Sequence, residues 1–293
     1  MKTNRIYSLL AGALAVTAVS LSSCDDEKEL PKIDGYNNSN EVAASSLVAH
    51  WTFDDNNNER ISNTAPSNTF GTVASTDGVI GKALNLQTGA LKYPSIQAIG
   101  GANSLSNYTV SLWVNVQNNG SDFTTFFGIF PTNATAAWGN LSASAETGWF
   151  PNRGAGDTLV LKANYLSQDP SGPNGQDNRN DPRGKPPVGV LKATGTWTHF
   201  VMRWDATSHN LKVYANGTSI GAYDNRGTTG PLIQAVPSQA VIGSLATPTV
   251  GFAGSTDTWP KMANAMVDDI RVFNSPLTDA EITALYNLGT AGR

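Results

Sequence analysis

The chain has 293 residues, with 19 Lys+Arg against 23 Asp+Glu, a formal net charge of -4 and a single Cys. Charged residues make up 14% of it, well below the ~25% of an average globular protein. With no basic field and no Lys/Arg cluster, nucleic-acid binding is excluded, and one Cys excludes a disulfide framework or a multi-cysteine zinc site.

In chain order, the N-terminus reads Met1-Lys-Thr-Asn-Arg5, then a weakly polar to apolar stretch from Ile6 to Leu21, then Ser22-Ser23-Cys24. A basic start, an apolar run too short and too rich in small residues to span a bilayer, and small residues before a cut site predict a secretory signal peptide over residues 1–23. Leu21-Ser-Ser-Cys24 has the shape of a bacterial lipobox, which makes Cys24 the expected lipidated first residue of the mature chain. An ordinary signal peptide with an incidental Cys is the alternative. Cleavage removes Lys2 and Arg5 and takes the net charge from -4 to -6. Asp25-Asp-Glu-Lys-Glu29 follows at once; it reads as a solvated spacer or, by resemblance, as the acidic surface-export signal of Bacteroidetes lipoproteins. Residues 24–46 are acidic or polar without apolar periodicity and are expected to form a flexible tether, so that one folded domain spans 47–293.

Strand signals dominate that domain. In Tyr108-Thr-Val-Ser-Leu-Trp-Val-Asn-Val116, Val110, Leu112, Val114 and Val116 share one face while Thr109, Ser111, Trp113 and Asn115 share the other. Trp197–Trp204 alternates in the same way. Leu211–Ala215 and Thr218–Ala222 flank Asn216-Gly217, which supplies the two positive-φ positions of a type I′ hairpin turn. Ser167 to Pro187 holds Pro, Gly, Asn, Asp and Arg with almost nothing apolar and reads as a long loop. Only Thr278-Asp-Ala-Glu281 and the residues after it read as helix: Thr278 caps the first turn, Glu281 reaches back, Ile282 and Leu285 share a face, and Gly289 suits a C-cap. Many short strands and one terminal helix predict an all-β antiparallel sandwich.

Six segments in order carry a resemblance: Leu47-Val-Ala-His-Trp-Thr-Phe-Asp54, Val79–Leu86, Tyr108–Val114, Gly195-Thr-Trp-Thr-His-Phe-Val201, Leu211–Gly217 and Met266-Val-Asp-Asp-Ile-Arg-Val-Phe-Asn274. Together they resemble the laminin-G-like, concanavalin A-like jelly-roll family in the form found in surface lipoproteins of Bacteroidetes, over roughly residues 47–289. The resemblance implies two facing antiparallel sheets, one concave and one convex, with the first and last strands adjacent. It also implies a structural Ca²⁺ near that junction, with Asp54 and Asp268 at the acidic positions. The bland reading of the same residues is an Asx turn at Asp54 and a pairing of Asp268 with Arg271 or a backbone amide.

Fold does not fix function here, since jelly rolls host lectins, glycanases and adhesion modules alike. Glycanases of this fold place two carboxylic acids across the scissile bond, typically from a Glu-x-Asp-x-x-Glu strand. That pattern is absent, and Glu59, Glu146 and Glu281 are the only Glu residues of the domain. His50, His199 and His209 come without a Gly-x-Ser-x-Gly motif, and His199 reads as a satisfied strand residue. The chain is therefore expected not to be an enzyme. Trp51, Trp113, Trp197 and Trp204 fall in strand segments, whereas Trp138, Trp149 and Trp259 lie in Gly/Asn/Pro-rich surroundings. Aromatic planes stack on sugar C–H faces and planar polar groups hold hydroxyls, which makes Trp149, Arg153, Arg179, Trp138 and Trp259 the expected glycan-binding residues. These tryptophans anchoring loops over satellite cores is the other reading. The expected protein is an outer-membrane, exterior-facing lipoprotein that captures a glycan for polysaccharide-uptake partners. A protein-binding adhesion module or a glycoside hydrolase are the alternatives.

Overall fold

Alternation of apolar and hydrogen-bonding residues, broken by Gly, Asn and Pro, sets the chain up for short strands joined by turns, and strands are what form. The computed structural model describes residues 30–116, 123–146, 159–177, 190–191, 193–222 and 230–293. Its folded unit runs from Lys32 to Arg293. The strands are β1 (Leu47–Trp51), β2 (Asn68–Asp77), β3 (Lys82–Lys92), β4 (Tyr108–Val116), β5 (Thr124–Pro131), β6 (Leu141–Glu146) and β7 (Leu159–Asp169). They continue with β8 (Gly172–Asp177), β9 (Val190–Leu191), β10 (Thr198–Asp205), β11 (Asn210–Ala215), β12 (Thr218–Ala222), β13 (Ser238–Ile242) and β14 (Ala263–Phe273). A four-residue helix α1 (Gln97–Gly100) and a terminal helix α2 (Asp279–Thr290) complete the set.

Antiparallel hydrogen bonding runs in the order β12-β11-β10-β4-β14-β3-β13-β5-β6-β7-β8, with β1 on β14, β2 on β3 and β9 on β7. Strands far apart in that order nevertheless touch. Tyr165 of β7 packs on Trp204 of β10 with ring centroids 4.8 Å apart, and Phe126 of β5 meets Phe200 of β10 edge-on at 6.4 Å. The sheet therefore curls over on itself into the antiparallel jelly-roll sandwich expected from the sequence, its layers linked where the short β13 pairs with β3 at Val241 and Ile242. The first and last strands lie side by side, Leu47 opposite Phe273 and Trp51 opposite Ile270.

Alternation in β4 explains both of its faces. Val110, Leu112, Val114 and Val116 enter the main core between the layers. Ser111 and Trp113 point the other way: Ser111 Oγ bonds His199 Nε2 at 2.8 Å, and Trp113 stacks on Tyr286 of α2 at 5.8 Å. The capping box forms as predicted, Thr278 Oγ1 accepting from Glu281 N and Thr278 N donating to Glu281 Oε2. Gly289, read as a C-cap, instead lies inside α2, where a Cβ would come 2.7 Å from the Trp113 ring. The glycine is a packing requirement, since it lets the helix backbone sit directly on the indole. Gly289→Ala should cost about 1–3 kcal/mol through overpacking, read as a lowered urea midpoint at unchanged slope.

Two expectations need correcting. The tether predicted over residues 24–46 does not include residues 32–46, which fold onto the domain. Val42 is buried with α2 residues, Ser39 N donates to the Arg293 carbonyl, and Arg271 donates to the Ser39 carbonyl, Ser39 Oγ and Asn40 Oδ1. The loop predicted over 167–187 begins instead as the β7–β8 hairpin, turning at Gly172 with φ +118°; Pro173 is tolerated because β8 ends the strand order.

Candidate functional site

Trp138 lies between β5 and β6, and Trp259 lies in the segment that leads into β14. Hydrogen bonds from backbone amides zip the two loops together. Ala137 N donates to Asp257 Oδ2 at 2.7 Å, Ala246 N to the Ala137 carbonyl at 3.1 Å and Thr256 N to the Thr135 carbonyl at 3.3 Å. Beneath them a separate apolar cluster, including Phe130, Leu245, Val250 and Phe252, fixes their height above β13 and β5. The indoles of Trp138 and Trp259 consequently sit 5.8 Å apart with their planes tilted by 46°. Phe123, just before β5, sets its ring nearly perpendicular to both, at 5.7 Å from Trp138 and 5.9 Å from Trp259. Trp138 is 42% exposed and Trp259 47%, the only exposed aromatic side chains among the described residues.

Of the glycan residues expected from the sequence, the structure thus brings Trp138 and Trp259 together. Trp149, Arg153 and Arg179 lie outside the described residues, as does Cys24. Phe123 was missed; it ends a polar stretch at a strand start, and only the fold places it against two tryptophans distant in sequence. Trp51, Trp113 and Trp204 are buried and Trp197 is half-buried, as their strand positions required.

A second locus joins Asp54, which follows β1 closely, to Asp268 of β14. Both close on the turn between β2 and β3. Lys82 N donates to Asp54 Oδ1 at 2.8 Å, while Val79 N and Ile80 N donate to Asp268 Oδ2 at 2.7 and 3.0 Å. A Cβ on Gly78 would fall 2.4 Å from Asp268 Oδ2, and one on Gly81 would fall 2.0 Å from Asp54 Oδ1. Two glycines are therefore what let the carboxylates approach. Asp268 Oδ1 is buried without a hydrogen-bond partner, and burial pushes this carboxyl up to about 7. An unshared buried carboxylate oxygen, with a second carboxylate held on the same turn, is suited to a hard cation with oxygen ligands. Residues Asp54 and Asp268 fit Ca²⁺ in this sense, with backbone carbonyls needed to complete a shell, because among the described residues no three His, Cys, Asp or Glu gather for a metal. The amide bonds to Asp268 match the other reading of this residue, whereas Arg271 pairs with Asp269 at 2.9 Å.

Glu59, Glu146, Glu281, His50 and His199 each have partners within the fold. Glu59 is buried and accepts from the backbone amides of His50, Ile61 and Ser62. Glu146 pairs with Lys162 at 2.8 Å, and Glu281 serves the capping box. His50 Nε2 contacts Asp269 Oδ1 at 2.7 Å, and His199 is stacked against Trp113 at 5.0 Å.

Comparison with known proteins bears on this architecture. A family model described as the concanavalin A-like lectin/glucanases superfamily matches residues 88–283. A comparison with curated proteins returned no match. Among solved structures, domain 4 of AbnA, a GH43 extracellular arabinanase from Geobacillus stearothermophilus in complex with arabinotriose, is 25% identical at a TM-score of 0.52, covering 82% of this chain and 98% of that one. The binding domain of Paraclostridial Mosquitocidal Protein 1 is 14% identical at a TM-score of 0.53, covering 83% of this chain and 52% of that one. The ligand binding domain of botulinum neurotoxin serotype D, in complex with N-acetylneuraminic acid, is 11% identical at a TM-score of 0.51, covering 84% and 52%. The chain thus spans about half of each toxin binding domain, which share its fold. With two thirds of its length matched by the family model and its strands curled as that fold requires, the chain belongs to the concanavalin A-like lectin/glucanases superfamily.

Proposed function

We propose that this chain is a non-catalytic, lipid-anchored surface protein that binds carbohydrate through its jelly roll. The observation that carries the proposal is the Trp138–Trp259 pair: two half-exposed indoles held in place by loop hydrogen bonds and an apolar base. Exposing two large aromatic faces in water is unfavourable, and a pyranose or furanose C–H face stacked on them relieves that exposure while its hydroxyls stay solvated. The likeness to an arabinanase domain solved with arabinotriose supports the same reading. The uses found for Glu59, Glu146 and Glu281 support a binding role over hydrolysis, which requires two free carboxyls facing each other. A lipid on Cys24 would hold the domain at the outer membrane on the exterior side, raising its effective concentration near polysaccharide-uptake partners without new contacts.

A glycan array on the mature chain tests this. Trp138→Ala and Trp259→Ala should each weaken binding about thirtyfold, equivalent to the ~2 kcal/mol typical of a well-placed tryptophan contact. If both variants keep full binding, or if the chain retains proteins and no glycans, the proposal fails.

We also propose that Asp54 and Asp268 hold a structural Ca²⁺. Bound there, the cation would neutralise the buried carboxylate of Asp268 together with the exposed one of Asp54 and pin the β2–β3 turn to β14. Because burial raises Asp268 to about 7, the folded protein without a cation loses stability as pH rises from about 4 through 7, where the carboxyl ionises without a partner. Calcium relieves that loss and binds the deprotonated form, so its effect grows with pH. Added calcium should raise the Tm of chelator-treated protein by roughly 5–10 °C at pH 8 and by much less at pH 5. An unchanged Tm at pH 8 removes calcium from this site.

A further inference from the structure

We infer that the Trp138–Trp259 pair selects polysaccharides whose consecutive rings are turned relative to one another, over flat-ribbon chains, and that Phe123 is the positioning residue that sets this preference. The inference rests on the reading of the pair as the glycan contact.

A sugar ring gains most from an aromatic plane when its C–H face lies flat upon it. Here two such planes adjoin, with centroids 5.8 Å apart, a separation on the scale of a single sugar ring. They therefore address neighbouring rings of one chain. The planes are tilted by 46°. A ribbon with all its rings in one plane can lie flat on one indole and only touches the other at an edge, whereas a chain that turns between rings can lie flat on both.

The tilt is built in. The three rings stand at the corners of a near-equilateral triangle, and Phe123, meeting Trp138 at 87° and Trp259 at 78°, is the buttress that braces both indoles at their tilt. It is fixed in turn by β5, which starts at the next residue. On the other side, Asp257 holds the amide of Ala137, the residue before Trp138, and thereby links the two loops that carry the tryptophans. An acid in that position also disfavours a uronate and favours a neutral chain.

The test measures binding of the mature chain to soluble neutral polysaccharides of two backbone shapes. Flat ribbons are represented by soluble β-1,4-linked gluco- and manno-oligosaccharides, and turned chains by β-1,3- and α-1,4-linked glucan and by arabinotriose and linear arabinan. Turned chains should bind at least about tenfold tighter as a class. Phe123→Ala and the bulk-conserving Phe123→Leu should both shrink that ratio to within about threefold, while Trp138→Ala weakens binding to either class by about thirtyfold. Equal or tighter binding of flat ribbons that is weakened in Trp138→Ala overturns the selection and leaves the tryptophan contact standing. An unchanged ratio in both Phe123 variants overturns the role of Phe123. Binding that survives loss of both tryptophans, or the absence of any glycan binding, overturns this inference together with the reading beneath it.

Discussion

Asp269→Asn should lower stability by about 3–5 kcal/mol, the range for breaking a buried ion pair by removing one partner. At roughly 2–4 °C per kcal/mol for a domain of this size, the melting temperature falls by about 10 °C or more. Asp269 sits in the bulge of β14 with φ +47°, a conformation that Asn shares readily, so the substitution leaves the backbone in place and isolates the charge. Burial alone would raise this carboxyl. The Arg271 guanidinium and the bond from His50 outweigh burial and hold it well below the usual carboxylate range. Without the carboxylate, Arg271 keeps a buried charge with only neutral partners, Ser39, Asn40 and the new amide, and His50 loses the opposite charge beside its ring. A thermal melt within 2 °C of the parent would show that the pair is energetically neutral.

Acid should unfold the protein well before its surface carboxylates alone would require. His199 is buried against Trp113 and Tyr286, and burial pushes its pKa down to about 3. In the unfolded chain it titrates near 6.5. Between those values the unfolded state holds a proton that the folded state refuses, so the stability tied to this group is fully present above about 6.5 and is lost as pH falls toward 3. The size of the effect is at most about 4–5 kcal/mol at the acid end. His50 is shifted in the same direction by burial, against the pull of Asp269, and adds to the same slope. The depressed carboxyl of Asp269 extends the loss below about 4. Because the raised carboxyl of Asp268 acts in the opposite sense between about pH 4 and 7, the contribution of His199 is read as a difference. Over that range the urea midpoint should fall more for the parent than for His199→Gln, in which the amide can still meet Ser111 Oγ. Identical slopes for the two proteins would show that His199 titrates normally.

Features set by neighbouring residues could be read in advance. The alternation of β4, the Asn216-Gly217 hairpin turn with φ of +50° and +74°, and the Thr278–Glu281 capping box each depend on a few adjacent residues. Gly289 was misread because its reason lies across the fold in the Trp113 ring, and a glycine near a helix end has an adequate local explanation. Residues 32–46 passed for a tether because Ile33, Tyr36 and Val42 follow no period; what orders them is Arg271 and α2, far along the chain. Asp54 and Asp268 were found through the resemblance, and their common grip on one turn could not have been seen in spacing. At the aromatic site, Gly/Asn/Pro-rich surroundings marked Trp138 and Trp259 individually, while their mutual tilt and the bracing ring of Phe123 belong to the packing alone.

The folded N-terminal segment also has a mechanical meaning. A pull applied at Lys32 first meets the Ile33–Tyr36 bridge, then the Asn287–Asp34 and Arg293–Asn37 bonds, then the three bonds from Arg271 to Ser39 and Asn40. These can yield one after another, whereas β1 shares a ladder with β14 and resists as a unit. Residues 32–46 therefore act as a fuse: under tension from the N-terminal side they release chain contact by contact, while the β1–β14 ladder keeps its shape.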